Sequence, residues 1–253
     1  MSKLNIIVPY RNRKDHLNVF TNIMFSFLNK IGIESFELYI VEQCDEQEFN
    51  RGCLLNIGFL ETEDGKNNYY CFNDIDTLPK SLKANYYKPP NNSIYHPYGH
   101  WHSISNFFLI NSDTYRMMNG FSTKYWNWGF EDEDFMIRTK LNKVQILRDN
   151  FQERFESGMY YELDVQSDED LAEKMSHINA QVNEIIFKNT VLNPETTLLD
   201  GLNTTQYTIL ERKKYDKYTL LKSRIENNNQ NLKKINSLRD YYDYVDIFNP
   251  YIN

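Results

Sequence analysis

The chain has 253 residues, with 28 Lys and Arg against 35 Asp and Glu, and its formal net charge is −7. A hydrophobic content of 41% and an aromatic content of 15% are enough for a sizeable core and exclude wholesale disorder. The acidic balance argues against a general nucleic-acid-binding protein. No signal-peptide pattern and no run of about 20 apolar residues is present. With only three cysteines, in no zinc-binding pattern, the sequence predicts a soluble protein of a reducing compartment.

The first part of the chain alternates between apolar runs and helical periodicity. Runs at 4–8, 36–42 and 68–73 predict strands, and the first of them is expected to stop at Pro9. Segments 14–31 and 51–61 have apolar residues at helical spacing. Strands that alternate with helices predict an α/β fold with a mainly parallel central sheet and covering helices.

The pattern changes after residue 80. We expect a loop at 80–105, a strand at 106–110, helices at 111–119, 131–141 and 168–189, and a hairpin of strands 205–211 and 217–225. We interpret residues 1–225 as one domain, followed by a segment, 226–253, that is first polar and then aromatic.

Two carboxylates, Asp74 and Asp76, come directly after the third predicted strand. Ligands of open α/β sheets bind at the carboxyl ends of strands, and a turn there lets both side chains reach one ligand. Their oxygens suit Mn²⁺ or Mg²⁺ holding a diphosphate. A D-x-D alone is weak, because Asp is also a common turn-former before a residue such as Pro79.

An aromatic and acidic segment runs from Tyr125 to Asp134, with two tryptophans and a glycine before four acidic residues. An acidic helix start alone is the simpler interpretation, because the helix dipole favours negative charge there. Flat aromatic faces beside carboxylates also suit a sugar ring, and one carboxylate could serve as a general base.

Arginines follow the first predicted strand and open the second predicted helix. Arg11 and Arg13 come after Pro9, and Arg51 follows Phe49. Guanidinium groups at such turns either bind phosphates or remain solvated charges at a helix start.

These segments, in this order, resemble the β-1,4-galactosyltransferase family (glycosyltransferase family 7). The matching motifs are Pro9 to Arg13, Phe49 to Phe59, Asp74-Ile-Asp76 with Pro79, Asn119-Gly-Phe leading to Asp134, and Asp200-Gly-Leu-Asn203. The resemblance covers about residues 4–225. It implies a GT-A fold and an inverting transfer of a hexose, usually galactose, from a UDP-sugar to a glycan or glycoconjugate, assisted by Mn²⁺, with Mg²⁺ as the alternative.

The resemblance also assigns roles to individual positions. The positions that resemble donor-nucleotide residues are Pro9, Arg11, Arg13, Phe49, Arg51 and, near the ribose, Asp74. Asp76 resembles the metal ligand of the D-x-D, and Asp132 resembles the catalytic base. Glu131, Trp128 and Gly129 resemble residues that contact the donor or acceptor sugar.

The chain departs from the family pattern at three places. A glycine pair is replaced by Ser105-Asn106, and the second glycine of a W-G-G motif is Phe130. The family completes its metal site with a downstream His, but the stretch from Met159 to Asp164 contains none. Glu162, Asp164 and His177 are the alternatives, and we favour His177 over Asp164. An all-oxygen site would still suit Mn²⁺ or Mg²⁺.

A stretch with three histidines, His96 to His102, could hold zinc, but we interpret it as a loop near the sugar site, with Trp101 as a substrate contact. Two alternatives to the glycosyltransferase remain open: a sugar- or nucleotide-binding module that kept the fold, and a hydrolase built on these histidines. The resemblance covers nearly the whole chain, which implies a cytoplasmic bacterial or viral enzyme, or a catalytic domain cut from a longer protein.

Overall fold

The computed structural model describes residues 2–66, 68–154, 156–164 and 167–227. The strands are β1 (Leu4–Tyr10), β2 (Phe36–Gln43), β3 (Tyr69–Asn73), β4 (Thr77–Pro79), β5 (Ser93–Gly99), β6 (Phe107–Asn111), β7 (Gln145–Leu147), β8 (Gln152–Glu153), β9 (Tyr160–Glu162), β10 (Tyr207–Lys214) and β11 (Thr219–Ile225). The helices are α1 (Lys14–Lys30), α2 (Arg51–Thr62), α3 (Ser112–Met117), α4 (Glu131–Leu141), α5 (Asp168–Ser176) and α6 (Ile178–Leu192), with 3₁₀ helices at Pro194–Leu199 and Leu202–Thr204.

The main sheet has the strand order β10-β11-β2-β1-β3-β6-β5-β7, with β8 also paired to β5. Strand β1 runs parallel to β2 and β3, β11 runs parallel to β2, and β5 runs parallel to β7 and β8. Antiparallel pairs join β3 to β6, β6 to β5 and β10 to β11. The α/β prediction with a mainly parallel sheet is therefore confirmed, and the predicted C-terminal hairpin forms one edge of that sheet.

Strand β1 is buried on both faces, which explains its continuous apolar sequence. Ile6 and Val8 pack in the same core cluster as Phe20 of α1. Ile7 points to the other face, where it packs with α2. Gly58 makes this packing close, because a Cβ there would lie 2.2 Å from Cγ2 of Ile7.

Two strand predictions were wrong, and both concern proline. Strand β1 does not stop at Pro9 but continues to Tyr10, with Pro9 opposite Val41 of β2. Beyond Ile7, β1 pairs only with β2, so a residue without an N–H is tolerated there. The predicted loop 80–105 contains β5, whose Pro97 lies where the pairing with β6 shifts register between Tyr95 and Tyr98.

The predicted helix 168–189 is two helices, α5 and α6, separated at His177, whose ψ of 140° is extended. Strands β4, β7, β8 and β9 are too short to give a recognisable pattern in sequence. Strand β11 ends at Ile225, and almost all of the segment 226–253 lies outside the described residues, so the predicted division at 225 stays a prediction. In the described part of the chain, no helix combines the length and apolar character needed to cross a membrane.

Candidate functional site

A cavity of about 660 Å³ lies where the carboxyl ends of β1 and β3 meet the N-termini of α2 and α4. This is the edge of the sheet at which α/β folds bind ligands. Eleven of the predicted site residues line it: Pro9, Arg11, Arg13, Phe49, Arg51, Asp74, Asp76, Trp128, Gly129, Glu131 and Asp132. Chain folding therefore brings motifs separated by more than a hundred residues into one concave surface.

Arg51 joins the D-x-D to the acidic helix. It is the first residue of α2, whose N-cap Asn50 accepts a hydrogen bond from the N–H of Cys53 at 2.8 Å. Its Nε donates to Asp74 at 2.6 Å and its Nη1 to Asp132 at 2.7 Å. Burial alone would lower the pKa of Arg51, but the carboxylates of Asp132 and Asp74 outweigh it and raise that pKa. A permanent positive charge thus holds both acidic motifs together.

The acidic residues that open α4 divide into two groups. Glu131, Asp132 and Glu133 line the cavity, whereas Asp134 turns inward. Burial raises the pKa of Asp132 well above its usual range; Arg51 opposes this, and nearby carboxylates add to it. Burial likewise raises the pKa of Glu131 to about 7. A carboxylate with a raised pKa is better matched to accepting a proton near neutral pH.

The second arginine after β1 bridges two carboxylates. Nη1 of Arg13 lies 2.9 Å from Oδ2 of Asp76 and 3.4 Å from Oδ2 of Asp164, and the ring of His16 contacts Asp164 at 2.9 Å. The two carboxylates converge on one positive charge, and carboxylate oxygens are also the ligands that a hard divalent cation prefers.

The residues present fit a divalent cation that is shared with a substrate. The described residues contain no group of three or more His, Cys, Asp and Glu side chains suited to enclose a metal. Mg²⁺ and similar ions are commonly held by one or two carboxylates together with phosphate oxygens and water. Asp76 with Asp164, which share the contact to Arg13, would provide that donor set.

The other arginine after β1 forms part of a flat wall. Both terminal nitrogens of Arg11 donate to the carbonyl of Gln47, at 2.8 and 2.9 Å. Its guanidinium carbon lies 5.5 Å from the centre of the Phe49 ring. An aromatic face beside a fixed guanidinium suits a planar ring with an attached anion.

Two of the three positions where the chain lacks the glycines of the family pattern keep a glycine-like backbone. Asn106 has φ of 56° and Phe130 has φ of 73°, both in the left-handed region. Asn tolerates that region, and the strain at Phe130 is offset by stacking of its ring on Phe187 of α6, at 5.4 Å. These two positions of the cavity wall therefore keep the backbone conformation that glycine favours.

Three predicted site residues are not among the described residues that line the cavity. Asp164 reaches it only through Arg13. His177 caps α6, where its Nδ1 accepts the N–H of Asn179 at 3.2 Å, so its role as a metal ligand stays a prediction. Trp101 is 61% exposed and lies over the guanidinium of Arg148 at 4.6 Å, so its substrate contact also stays a prediction.

The histidine-rich stretch does not converge on one point. His96 is buried in β5 and contacts the carbonyl of Ser105, and burial lowers its pKa to about 3. His100 lines the cavity, and its ring stacks at 5.4 Å on that of the exposed His102. This arrangement gives no support to a zinc hydrolase.

Sequence reasoning gave no role to several residues of the cavity wall. Arg154 lies between β8 and β9, and Asn106 precedes β6. Lys174 and Met175 belong to α5. None of them stands in a motif with recognisable spacing, so only the folded chain brings them to the site. Of the two tryptophans before α4, only Trp128 lines the cavity, while Trp126 is buried in the core.

The fifth motif, Asp200 to Asn203, supports the site from behind. Asp200 is buried and accepts hydrogen bonds from the hydroxyl of Ser122 and from the N–H and hydroxyl of Thr123. Gly201 has φ of 154°, and a Cβ there would lie 1.9 Å from the carbonyl oxygen of Asn119. The hydrogen bonds of Asp200 thereby hold in place the segment that leads to Trp128 and α4.

Comparisons with known proteins show which proteins this chain resembles. The model of the N-terminal region of glycosyl transferase group 7 matches residues 1–89, and that of the N-terminal domain of galactosyltransferase matches residues 91–163. The Caenorhabditis elegans xylosylprotein 4-beta-galactosyltransferase is 34% identical over 154 residues, which are 58% of this chain and 53% of that protein. Human beta-1,4-galactosyltransferase 7 is 33% identical over 153 residues, 58% of this chain and 46% of that protein. The chain thus spans about half the length of these curated relatives.

Among solved structures, a Drosophila β-1,4-galactosyltransferase 7 mutant in complex with manganese, UDP-Gal and xylobiose superposes with a TM-score of 0.70. The match covers 91% of this chain and 97% of that one at 22% identity. At that identity it bears on the fold, and it confirms the expected GT-A architecture. The two family models together match most of the chain, in the same order as the motifs that build the cavity. The chain belongs to glycosyltransferase family 7.

Proposed function

We propose that this chain is an inverting, metal-dependent glycosyltransferase that moves a hexose, galactose first among them, from a UDP-sugar to a hydroxyl of a glycan or glycoconjugate. The observation that carries the proposal is the single cavity in which Arg11, Arg13 and Arg51 face the carboxylates of Asp76 and Asp132. Cationic groups for a nucleotide diphosphate and a base for a sugar hydroxyl thus lie within one binding site. The solved structure of the Drosophila β-1,4-galactosyltransferase 7 mutant is a complex with UDP-Gal, and this class of donor fits the wall formed by Arg11 and Phe49.

The donor's nucleotide half is assigned to the wall after β1. The Phe49 ring and the guanidinium of Arg11 offer a stacking face for the uracil, and Asp74, held by Arg51, lies where a ribose hydroxyl could donate to it. Arg13 would turn from Asp76 and Asp164 toward the diphosphate when a cation takes its place. Asp76 and Asp164 would hold that cation, Mn²⁺ or Mg²⁺. The cation, when bound, offsets the charge of the diphosphate and makes UDP a better leaving group.

The proposed chemistry is a single displacement. Asp132 accepts the proton of the acceptor hydroxyl while that oxygen forms a bond to the anomeric carbon. The bond from the anomeric carbon to the UDP oxygen breaks on the opposite face, and UDP leaves with the electron pair. One displacement with one base inverts the anomeric configuration. Trp128 and Glu131, beside Asp132 on the cavity wall, are placed to hold the sugars by stacking and hydrogen bonding.

The experiment is a UDP-release assay over a panel of UDP-hexoses, with Mn²⁺ and with EDTA, using xylose- and N-acetylglucosamine-terminated acceptors. We expect release with UDP-galactose, Mn²⁺ and an acceptor, and a loss of about a hundredfold or more in Asp132→Asn, because general-base catalysis typically contributes that much. Asp113→Asn is the matched control, since Asp113 is an exposed residue of α3 with its side chain 89% exposed. UDP binding without release from any donor would favour the binding-module alternative, and failure to bind UDP at all would refute both.

We also propose a reducing compartment for this protein. The support is that Cys53 and Cys71 are buried free thiols in the core, and burial raises the pKa of both, which keeps them unreactive. Unchanged activity under strong reductant, with all three thiols titratable after denaturation, is the expected result. Fewer than three titratable thiols in the protein from its native source would contradict it.

A further inference from the structure

Arg154 is a cationic residue of the cavity wall to which no motif assigns a role. Its side chain is 16% exposed and lies in the segment between β8 and β9. Its Nε and Nη2 donate to the two oxygens of Glu162, each at 2.7 Å. This is a two-pronged guanidinium–carboxylate pair, the geometry that fixes an arginine most firmly.

Glu162 is placed beside the D-x-D by the two-stranded sheet of β4 and β9. That register sets Glu162 opposite Thr77, the residue after Asp76. Its side chain is 4% exposed and also accepts hydrogen bonds from the hydroxyl of Tyr98, at 3.0 Å, and from Nδ2 of Asn106, at 2.9 Å. Oε1 thus accepts from Arg154, Tyr98 and Asn106, and Oε2 accepts from Arg154, so these contacts fix Glu162 as a holder for the guanidinium of Arg154.

The charged groups around Arg154 include the two carboxylates of the D-x-D, beside which the cation is proposed to bind. Burial would lower the pKa of its guanidinium, but the carboxylates of Glu162, Asp76 and Asp74 raise that pKa above its usual range. A permanent cation therefore lies in the field of both D-x-D aspartates. A diphosphate that enters beside Asp76 would meet this guanidinium, whose fork matches phosphate as well as carboxylate.

We propose that Arg154 binds the diphosphate of the donor nucleotide, and that Glu162 holds its guanidinium in position and competes with the phosphate for it. This proposal rests on the proposed function, because it adds a residue to the same donor site. It predicts that UDP binds this chain measurably even when no divalent cation is present.

The experiment is calorimetric titration of UDP, and separately of uridine, into the full chain in excess EDTA. For Arg154→Gln we expect UDP affinity to fall by about 10- to 100-fold, the range of a hydrogen bond to a charged group. Uridine affinity should be unchanged, because uridine has no phosphate. Arg154→Lys should lose less UDP affinity than Arg154→Gln, since lysine keeps the positive charge. Arg116→Gln on α3, whose side chain is 48% exposed, is the matched control and should bind both ligands as the wild type does.

The direction in which a second variant changes UDP affinity distinguishes ligand binding by Arg154 from a merely structural role. Glu162→Gln should strengthen UDP binding in EDTA, because the amide competes less for Arg154. This gain in UDP affinity should disappear in the double variant Arg154→Gln/Glu162→Gln. It should also exceed the gain in Glu133→Gln, which removes a cavity carboxylate that is not paired with Arg154. If Arg154→Gln does not fold, this comparison of the two Glu variants still decides.

Two failures are distinguishable. A wild type that binds neither UDP nor uridine, with or without Mn²⁺, would refute the proposed function. A wild type that binds UDP only with Mn²⁺, or an Arg154→Gln variant with unchanged UDP affinity in EDTA, would overturn the role of Arg154 alone.

Discussion

Asp132 is surrounded by one guanidinium and several carboxylates, and their balance determines the pH at which it can accept a proton. Burial is the largest influence on its pKa and raises it, Arg51 lowers it, and Glu131, Asp74 and Glu133 raise it further. A base must be deprotonated to act, so activity should be present above the pKa of Asp132 and lost as the pH falls through it. The acid limb of the pH profile should therefore lie above the usual range of an aspartate.

Glu131→Gln should move that acid limb to lower pH. The substitution removes the carboxylate whose charge raises the pKa of Asp132 most, so Asp132 stays ionised at lower pH. The measurement is kcat/KM against pH, which reports the ionisation of the free enzyme. Glu133→Gln should move it in the same direction by less, and Asp113→Asn on the exposed face of α3 should leave it in place. A limb that stays where it is in Glu131→Gln would contradict the assignment of Asp132 as the base.

Helix α4 is held by a buried ion pair as well as by Phe135 and Met136, which pack in the core. Arg138 and Asp134 have side chains only 1% and 2% exposed, and Arg138 Nε donates to Asp134 at 2.7 Å. Arg138 Nη1 also donates to the carbonyls of Thr197 and Asp200, at 3.0 and 2.6 Å. The hydroxyl of Tyr125 donates to Asp134 at 3.1 Å. These contacts tie the helix that carries Asp132 to the segment of the fifth motif.

Arg138→Met should destabilise the fold by about 3–5 kcal/mol, because it leaves the charge of Asp134 buried without its partner. The free energy of unfolding is measured by urea denaturation. Arg116→Met is the control: Arg116 pairs with the exposed Asp113, and such surface pairs contribute about 0–1 kcal/mol. A loss of stability in Arg138→Met no larger than in Arg116→Met would show that the pair does not anchor α4.

Elements with a local pattern were predictable, and elements whose residues are explained by distant partners were not. The apolar side of α1 and the runs of β1 to β3 can be recognised because their periodicity is local. Strand β5 is not recognisable, because His96 and Pro97 are unlike strand residues. The ring of His96 nevertheless contacts the carbonyl of Ser105, and Pro97 is accommodated by a shift in the pairing register between β5 and β6. Likewise, the motifs indicated Asp76 and Asp132, whereas Arg154 is placed by the pairing of β8 with β5 and by Glu162 of the β4–β9 pair, and neither pairing leaves a recognisable pattern in the sequence.

At the scale of the whole molecule, the cavity has no single supporting element. Its walls come from the end of β1, the start of α2, the turn after β3 and the start of α4. Arg51 connects the last three of these through Asp74 and Asp132. A ligand bound there contacts parts of the chain that come together only in the native state, so its binding free energy adds to the free energy of unfolding.

UDP should therefore raise the melting temperature, and Mn²⁺ should increase the effect. At a ligand concentration 100 times its Kd the native state gains about 2.7 kcal/mol, which corresponds to a shift of about 5–10 °C for a chain of this size. The measurement is thermal unfolding with UDP in Mn²⁺ and with UDP in EDTA. In Asp76→Asn the two shifts should coincide, because this variant loses a carboxylate assigned to the cation but keeps Arg11 and Phe49 for the nucleotide. Asp113→Asn should behave as the wild type. An Asp76→Asn variant that keeps the full Mn²⁺ increment would show that the cation binds elsewhere.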